Sequence, residues 1–249
     1  MPRIAGAAVG AAVLAMAACS AHSPTASVRS PSPPAASTTA GLPEGTELTG
    51  VQLNSALAPA SSFPGFTANA KYAYNTGTSF EVLPTQYNVA TMSCSSFSTQ
   101  MTYATWLGQD AISWAEFDRA AGGQSSQTYD EFIYQFPGPS AAVSFIQGLS
   151  AAYSRCQSFT DTQSGVSVQV TYAVANIAPI GGGQAMQVTG TAVADGATVG
   201  TAGLLYVISS DDVYGVVRTG AQTSMPATPA AATVIAGMIT RVQKLSSTS

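Results

Sequence analysis

The sequence predicts an α+β domain, with helices packed against an antiparallel β-sheet of about six strands. Several segments, such as Val168 to Val174, alternate apolar and polar residues with the period of two that a half-buried strand requires. Others, such as Val234 to Leu245, carry apolar residues at spacings of three and four, the pattern of an amphipathic helix. Strands that follow one another directly, with helices before and after them, favour an antiparallel sheet.

The first 19 residues have the organisation of a secretory signal. Arg3 supplies a positive charge, Ile4 to Leu14 is an uncharged run, and Met16 to Ala18 lead to Cys19. The run is too short for a membrane-spanning helix, which needs about 20 apolar residues. The order is typical of a bacterial lipoprotein, so residues 1–19 are predicted to be a lipoprotein signal peptide ending in an acylated Cys19, with palmitate among its chains. Ordinary secretion with a free Cys19 is the alternative.

Residues 20–41 are predicted to be a disordered linker rich in Ser, Thr and Pro. The run Ser30 to Pro34 lies among small residues, and such a stretch buries too little apolar surface to offset its loss of conformational entropy. Proline favours an extended chain of about 3.1 Å per residue, so the linker would hold the domain away from the membrane. The remaining residues, 42–249, are enough for one folded domain with its own core.

The predicted elements of that domain follow in order. An opening helix covers Thr46 to Leu57, with Val51, Leu53 and Leu57 on one side. A hairpin joins Ala111–Phe117 to Thr128–Phe136. In its second strand one face carries Phe132, Tyr134 and Phe136, and the other carries Tyr129, Glu131, Ile133 and Gln135.

A helix from Ser140 to Cys156 comes next, then four strands, then a final helix. The stripe of the first helix comprises Val143, Ile146, Leu149, Tyr153 and Cys156. The final helix has Thr228 as a potential cap, Pro229 in its first turn, and a stripe of Val234, Ile235, Met238, Ile239, Val242 and Leu245.

The chain has three cysteines, Cys19, Cys94 and Cys156. Acylation of Cys19 would leave an even pair, and outside the cytoplasm such a pair usually forms a disulfide. Closing a loop of about 60 residues would stabilise the fold by about 4 kcal/mol in the chain-entropy model. The alternative is two buried free thiols.

Composition excludes several classes of function. With 8 Lys plus Arg against 12 Asp plus Glu, the chain has no basic cluster for nucleic acid. Its one histidine, His22, lies in the linker, which removes histidine-dependent nucleophilic catalysis and histidine-based zinc sites from the domain. We therefore expect no catalytic residue, no metal and no cofactor.

Acidic and aromatic residues leave two further alternatives. The pairs Asp130–Glu131 and Asp211–Asp212 are expected to be solvated or in turns, whereas Glu116 and Asp118 could share a strand face as an acid/base pair. Four aromatic residues could line an apolar or glycan-binding cleft, or could simply belong to the core: Trp106, Trp114, Tyr129 and Tyr134.

The segments around Cys94, Asp110 to Trp114, Phe132 to Pro137 and Ser140 to Cys156 resemble the PknH-like extracellular sensor domain family. The resemblance covers about Leu42 to Leu245. It implies an antiparallel sheet with a cleft and a ligand-sensing role without catalysis, in a standalone lipoprotein of mycobacteria or their relatives. Members of the family often have two disulfides, and here no cysteine follows Cys156 for the second.

The leading hypothesis is thus a lipid-anchored ligand-binding or sensor module on the outer face of the cytoplasmic membrane. It would contact the membrane through its anchor and bind an unknown cell-wall lipid or glycan, or an unknown protein partner. The alternatives are a carboxylate-dependent envelope glycan hydrolase and a structural envelope protein without a small ligand.

Overall fold

The computed structural model describes residues 46–70, 73–78, 89, 91–100, 111–121, 125–163, 165–220 and 230–247. The helices are α1 (Gly50–Ala56), α2 (Cys94–Gln100), α3 (Pro139–Arg155) and α4 (Ala231–Ser246), with a 3₁₀ turn at Ala60–Ser62. The strands are β1 (Thr67–Ala68), β2 (Tyr74–Asn75), β3 (Ala111–Ala121), β4 (Ser125–Gln135), β5 (Ser158–Gln163), β6 (Val166–Ile180), β7 (Gly183–Ala194), β8 (Ala197–Ser209) and β9 (Asp212–Gly220).

All these strands form one antiparallel sheet, in the order β1-β3-β4-β9-β8-β7-β6-β5, with β2 also paired to β3. The α+β class is confirmed, but the expectation of about six strands is wrong, because the described residues contain nine. The missed strands are β1, β2 and β5. The first two have two residues each, too few to show a period. The third is an edge strand, and its polar sequence from Ser158 to Gln163 lacks apolar alternation.

One face of the sheet packs against α3, and we call it the α3 face. Its core is rich in aromatic rings, including the stacked Phe132 and Tyr134, whose centroids are 4.4 Å apart. The Phe132 ring lies directly over Gly215 of β9, where a Cβ would overlap it. A disulfide joins Cys94 of α2 to Cys156 at the end of α3, so the predicted bridge is confirmed.

The stripe predicted for α3 is only partly correct. Leu149 and Tyr153 are fully buried, but Val143 and Ile146 are half-buried, and Phe145 takes part in the core instead. The helix lies across the sheet at an angle at which Phe145 contacts Tyr134 and Phe136, with ring centroids 6.1 and 5.1 Å apart.

The opposite face packs against α1 and α4, and we call it the docking face. The stripe predicted for α4 is confirmed, with Leu245 at its half-buried end. Leu53 of α1 and Leu57, directly after it, are buried as predicted, but Val51 is 49% exposed, so its assignment to the buried side is wrong. The neighbouring Gly50 lies against Thr76 and the backbone of Ile112 in β3, where a Cβ would overlap both. The proposed cap residues Thr228 and Pro229 lie outside the described residues.

Candidate functional site

Three polar side chains on the docking face, two of them buried and one half-buried, hold the chain segment that contains α1. They are Glu131 and Gln135 of β4 and Arg241 of α4, and we call them the dock. The segment from Thr46 to Ala58, which we call the docked segment, forms no strand of the sheet. Its helix begins with a capping box, in which Thr49 and Gln52 each bond the other's backbone amide.

Gln135 binds the beginning of the docked segment. Its side chain is 1% exposed, and its Oε1 accepts a hydrogen bond of 2.5 Å from the backbone N–H of Leu48. Its Nε2 donates to the backbone oxygen of Thr46 and to Oδ1 of Asp212, both at 3.1 Å. The amide group thus uses both of its ends, and it joins the start of the docked segment to strands β4 and β9.

Glu131 binds the end of the docked segment. It is fully buried, and its Oε2 accepts a hydrogen bond of 3.0 Å from the backbone N–H of Ala58. Burial raises the pKa of this carboxyl to about 8, although the Ala58 amide and the charge of Arg241 both favour its ionised form. Its other oxygen, Oε1, is buried without a hydrogen-bond partner.

Arg241 completes the dock from the helix side. Its Nε donates a hydrogen bond of 2.7 Å to the backbone oxygen of Ala56, at the end of α1. Its Nη2 is buried without a hydrogen-bond partner. The arginine also lines a surface cavity of about 260 Å³ together with Ser55, Lys244 and Leu245. This volume is just below the range of roughly 300–1,000 Å³ that is usual for small-molecule pockets.

A second buried carboxyl, Asp212, lies beside Gln135. It is 4% exposed, and it accepts a hydrogen bond of 3.1 Å from the hydroxyl of Tyr214. Burial, and next the charge of Asp211, raise the pKa of Asp212 to about 7, against the hydrogen bonds from Tyr214 and Gln135.

The expectation that the paired carboxylates are solvated is therefore wrong. Asp130, Glu131, Asp211 and Asp212 are all buried. The turn prediction holds in part, because Asp211 lies in the β8–β9 turn, whereas Asp212 begins β9. The contacts of these carboxylates are made by residues far away in sequence, as Ala58 is from Glu131. The residues next to them in sequence therefore do not predict their hydrogen bonds.

The structure separates the predicted aromatic ligand contacts. Tyr129 is buried on the docking face and Tyr134 on the α3 face, as their odd spacing of five along one strand already required. Trp114 is opposite Phe132 and Tyr74 in the strand register. Trp106 lies outside the described residues, as does Cys19. Ligand contact by these residues stays a prediction.

The four carboxylates of the hydrolase alternative do not all lie on one face of the sheet. Glu116 and Asp130 are directly opposite each other on β3 and β4, and Oε1 of Glu116 accepts a hydrogen bond of 2.9 Å from Asn69. Asp118 is opposite Thr128 in the register. Glu131 faces the other side of the sheet, within the dock. The cavity beside α1 and α4 is lined by none of these acidic residues.

Among the residues that the structure describes, no group of three His, Cys, Asp or Glu side chains could hold a metal ion. None of the helices in that part of the chain has the length and hydropathy needed to cross a membrane.

No protein-family model and no curated protein matches the chain. Among solved structures, it is similar to the crystal structure of the extracellular domain of PknH from Mycobacterium tuberculosis, with a TM-score of 0.54. The similarity covers 80% of this chain and 99% of that one, at 17% sequence identity. The two chains share a fold. The resemblance therefore holds at the level of the fold, which is all that so low an identity shows.

Proposed function

We propose that this chain is a lipid-anchored, non-catalytic sensor-type module that works outside the cytoplasm. The observation that carries the proposal is the fold, which is shared with an extracellular domain over 80% of the chain. The signal-like N-terminus ending at Cys19 and the cysteine pair at Cys94 and Cys156 support the same compartment.

The dock supports a role for the end of the domain at which the predicted stalk enters. The stalk predicted for residues 20–41 leads into the docked segment, which is tied to the sheet by Gln135, Glu131 and Arg241. A change at Gln135, Glu131 or Arg241 would act directly on the segment that follows the predicted stalk.

The lipid anchor is tested by metabolic labelling with a radioactive fatty acid in an actinobacterial host. We expect the wild-type chain to incorporate label and to sediment with membranes, and the Cys19→Ala variant to do neither. Ser20→Ala, one residue away in the same segment, is the matched control and should behave as wild type. A Cys19→Ala chain that still incorporated label would refute the anchor.

The ligand is sought by native mass spectrometry of the mature chain purified from its own host. A reproducible added mass of a cell-wall lipid or glycan would support binding, whereas a clean apo mass would favour the structural alternative. If the cavity beside α1 and α4 holds the ligand, Leu245→Trp should remove the added mass because it fills the cavity. Val51→Trp, on the exposed side of α1, should retain it.

A further inference from the structure

The docked segment is hydrogen-bonded at both ends by side chains of β4 and α4. At its beginning Gln135 bonds the backbone of Thr46 and Leu48. At its end Glu131 bonds the backbone of Ala58, and Arg241 bonds that of Ala56. The segment can leave the sheet without breaking any strand pairing, because it forms no strand itself. Local opening of this kind requires less free energy than global unfolding.

Glu131 is the one member of the dock whose charge can change within the physiological range of pH. The groups that face it are Arg241 from α4, Tyr129 from its own strand and, beyond Tyr129, Arg218 from β9. The residues of α1, Gly50 to Ala56, carry no charge. The positive groups do not outweigh the loss of hydration, since burial is the largest effect on this carboxyl.

The neutral form fits the observed contact. In a protonated carboxyl one oxygen carries the proton and the other keeps the character of a carbonyl, which can still accept from the Ala58 amide. The ionised form would keep that bond, but it would place a full negative charge in a buried site, whereas the neutral form leaves only an unpaired hydroxyl at Oε1. Release of the segment would hydrate the charge.

We propose that the docked segment is a proton-dependent latch, which a neutral Glu131 holds on the sheet and an ionised Glu131 releases. The direction follows from linkage. The pKa of Glu131 is about 8 in the docked form, and hydration on release returns it to the ordinary value of about 4.3. The docked form therefore binds more protons between these values, and docking weakens by up to about tenfold for each unit of rising pH in that window.

Asp212 differs from Glu131 in its place in the fold. It belongs to β9 and faces Asp211 and the hydroxyl of Tyr214, so it keeps these neighbours when the segment leaves. Its titration is not part of the latch. The side chain that touches both Asp212 and the docked segment is Gln135, which has no charge to change.

The test is hydrogen exchange followed by mass spectrometry on the full mature chain, between pH 5 and pH 8.5, with rates corrected for intrinsic exchange. We expect protection of peptides within residues 46–58 to fall by about 100-fold or more across this range. Protection of α3 should change by less than about threefold, because no buried carboxyl of the dock lies on its face of the sheet. Uniform protection of residues 46–58 at every pH would overturn the latch.

The Glu131→Gln variant keeps an acceptor for the Ala58 amide but cannot ionise. We expect it to stay docked, with protection of residues 46–58 that no longer depends on pH. Asp195→Asn, in the exposed β7–β8 turn, is the matched control and should follow wild type. An unchanged pH dependence in Glu131→Gln would also overturn the proposal.

A direct titration keeps the proposal falsifiable even if that variant does not fold. The chain has five glutamates, at 44, 47, 81, 116 and 131, so labelling with [¹³C]glutamate gives a simple carboxyl spectrum. We expect one resonance with a midpoint near pH 8 and that resonance to be lost in any folded Glu131 variant. Five midpoints in the ordinary acidic range would refute the latch.

Discussion

The two faces of the sheet are held together by different kinds of chemistry. On the α3 face the large buried polar side chains are tyrosines, and burial raises their pKa values, in Tyr206 to about 12, so they stay neutral. A disulfide fixes the helices of that face. On the docking face, Glu131 and Asp212 have pKa values raised to about 8 and about 7, close to neutrality.

The contrast separates a face held by ring packing and a disulfide from a face on which two buried carboxyls have pKa values near neutrality. Helices on the α3 face are fixed by aromatic packing and a covalent bond, neither of which changes with a moderate change of pH. The docked segment depends on the burial of Leu48 and Leu53 and on side-chain hydrogen bonds to single backbone groups. Four variants, taken from the largest expected effect to the smallest, test this contrast.

Removal of the disulfide should have the largest effect. The double variant Cys94→Ser/Cys156→Ser should lower the free energy of unfolding by about 4 kcal/mol, because the open loop enlarges the conformational freedom of the unfolded chain. Urea denaturation followed by circular dichroism measures it. Reduced wild type should unfold at the same urea concentration as the variant. An unchanged midpoint would show that the α3 face does not depend on its bridge.

Truncation of the α3 core comes next. Leu149 is fully buried between α3 and the sheet, so Leu149→Ala should cost about 3 kcal/mol through lost burial and the cavity left behind. Val143→Ala, at a half-buried site on the same helix, is the control and should cost much less. Thermal unfolding of both variants gives the comparison. Equal losses would contradict the orientation of α3 described above.

Loss of Gln135 should have an intermediate effect on the docking face. Gln135→Ala leaves the backbone groups of Thr46 and Leu48 without their partner, at a cost of about 2 kcal/mol for buried unsatisfied groups. Exchange of the Leu48 amide should accelerate more than exchange within α3. Gln184→Ala, on the exposed side of β7, should leave both unchanged. Equal acceleration in the two places would mean that the docked segment does not open by itself.

The capping box should have the smallest of these effects. Thr49→Ala removes both the cap of α1 and the contact of its hydroxyl with Gln52, and should cost about 1 kcal/mol. Thr240→Ala, at an exposed site within α4, serves as the control and should be close to neutral. The free energy of unfolding from urea titration measures both. A larger loss for Thr240→Ala would reverse the expected order.

Much of the α3 face was predictable from sequence, because its signals are local. The alternation in β4 placed Phe132, Tyr134 and Phe136 on one side, and cysteine parity predicted the bridge. The stripe of α4 was equally clear. Two-residue strands such as β1 escaped detection, since pairing with β3, rather than any property of Thr67 and Ala68, makes them strands.

The dock was not predictable for a related reason. Glu131 and Ala58 are 73 residues apart, and Gln135 and Leu48 are 87 apart, so their contacts exist only once the fold has formed. A carboxylate in an alternating strand is ordinarily a solvated residue, and Tyr129 and Ile133 on the same face do not reveal which backbone group Glu131 binds. By contrast, the position of Tyr129 and Tyr134 on opposite faces of the sheet follows from their odd spacing along one strand.

The strand directions place different turns at the two ends of the sheet. The start of the docked segment, at Thr46, is bound by Gln135 at the last residue of β4, near the β8–β9 turn. At the other extremity of the sheet lie the β7–β8 turn with Asp195 and Gly196 and the β5–β6 turn with Gly165. If the proposed anchor holds the domain at the pole of Thr46, these turns lie at the end of the domain that faces away from the membrane. They are then the first part of the domain that an approaching envelope component would meet.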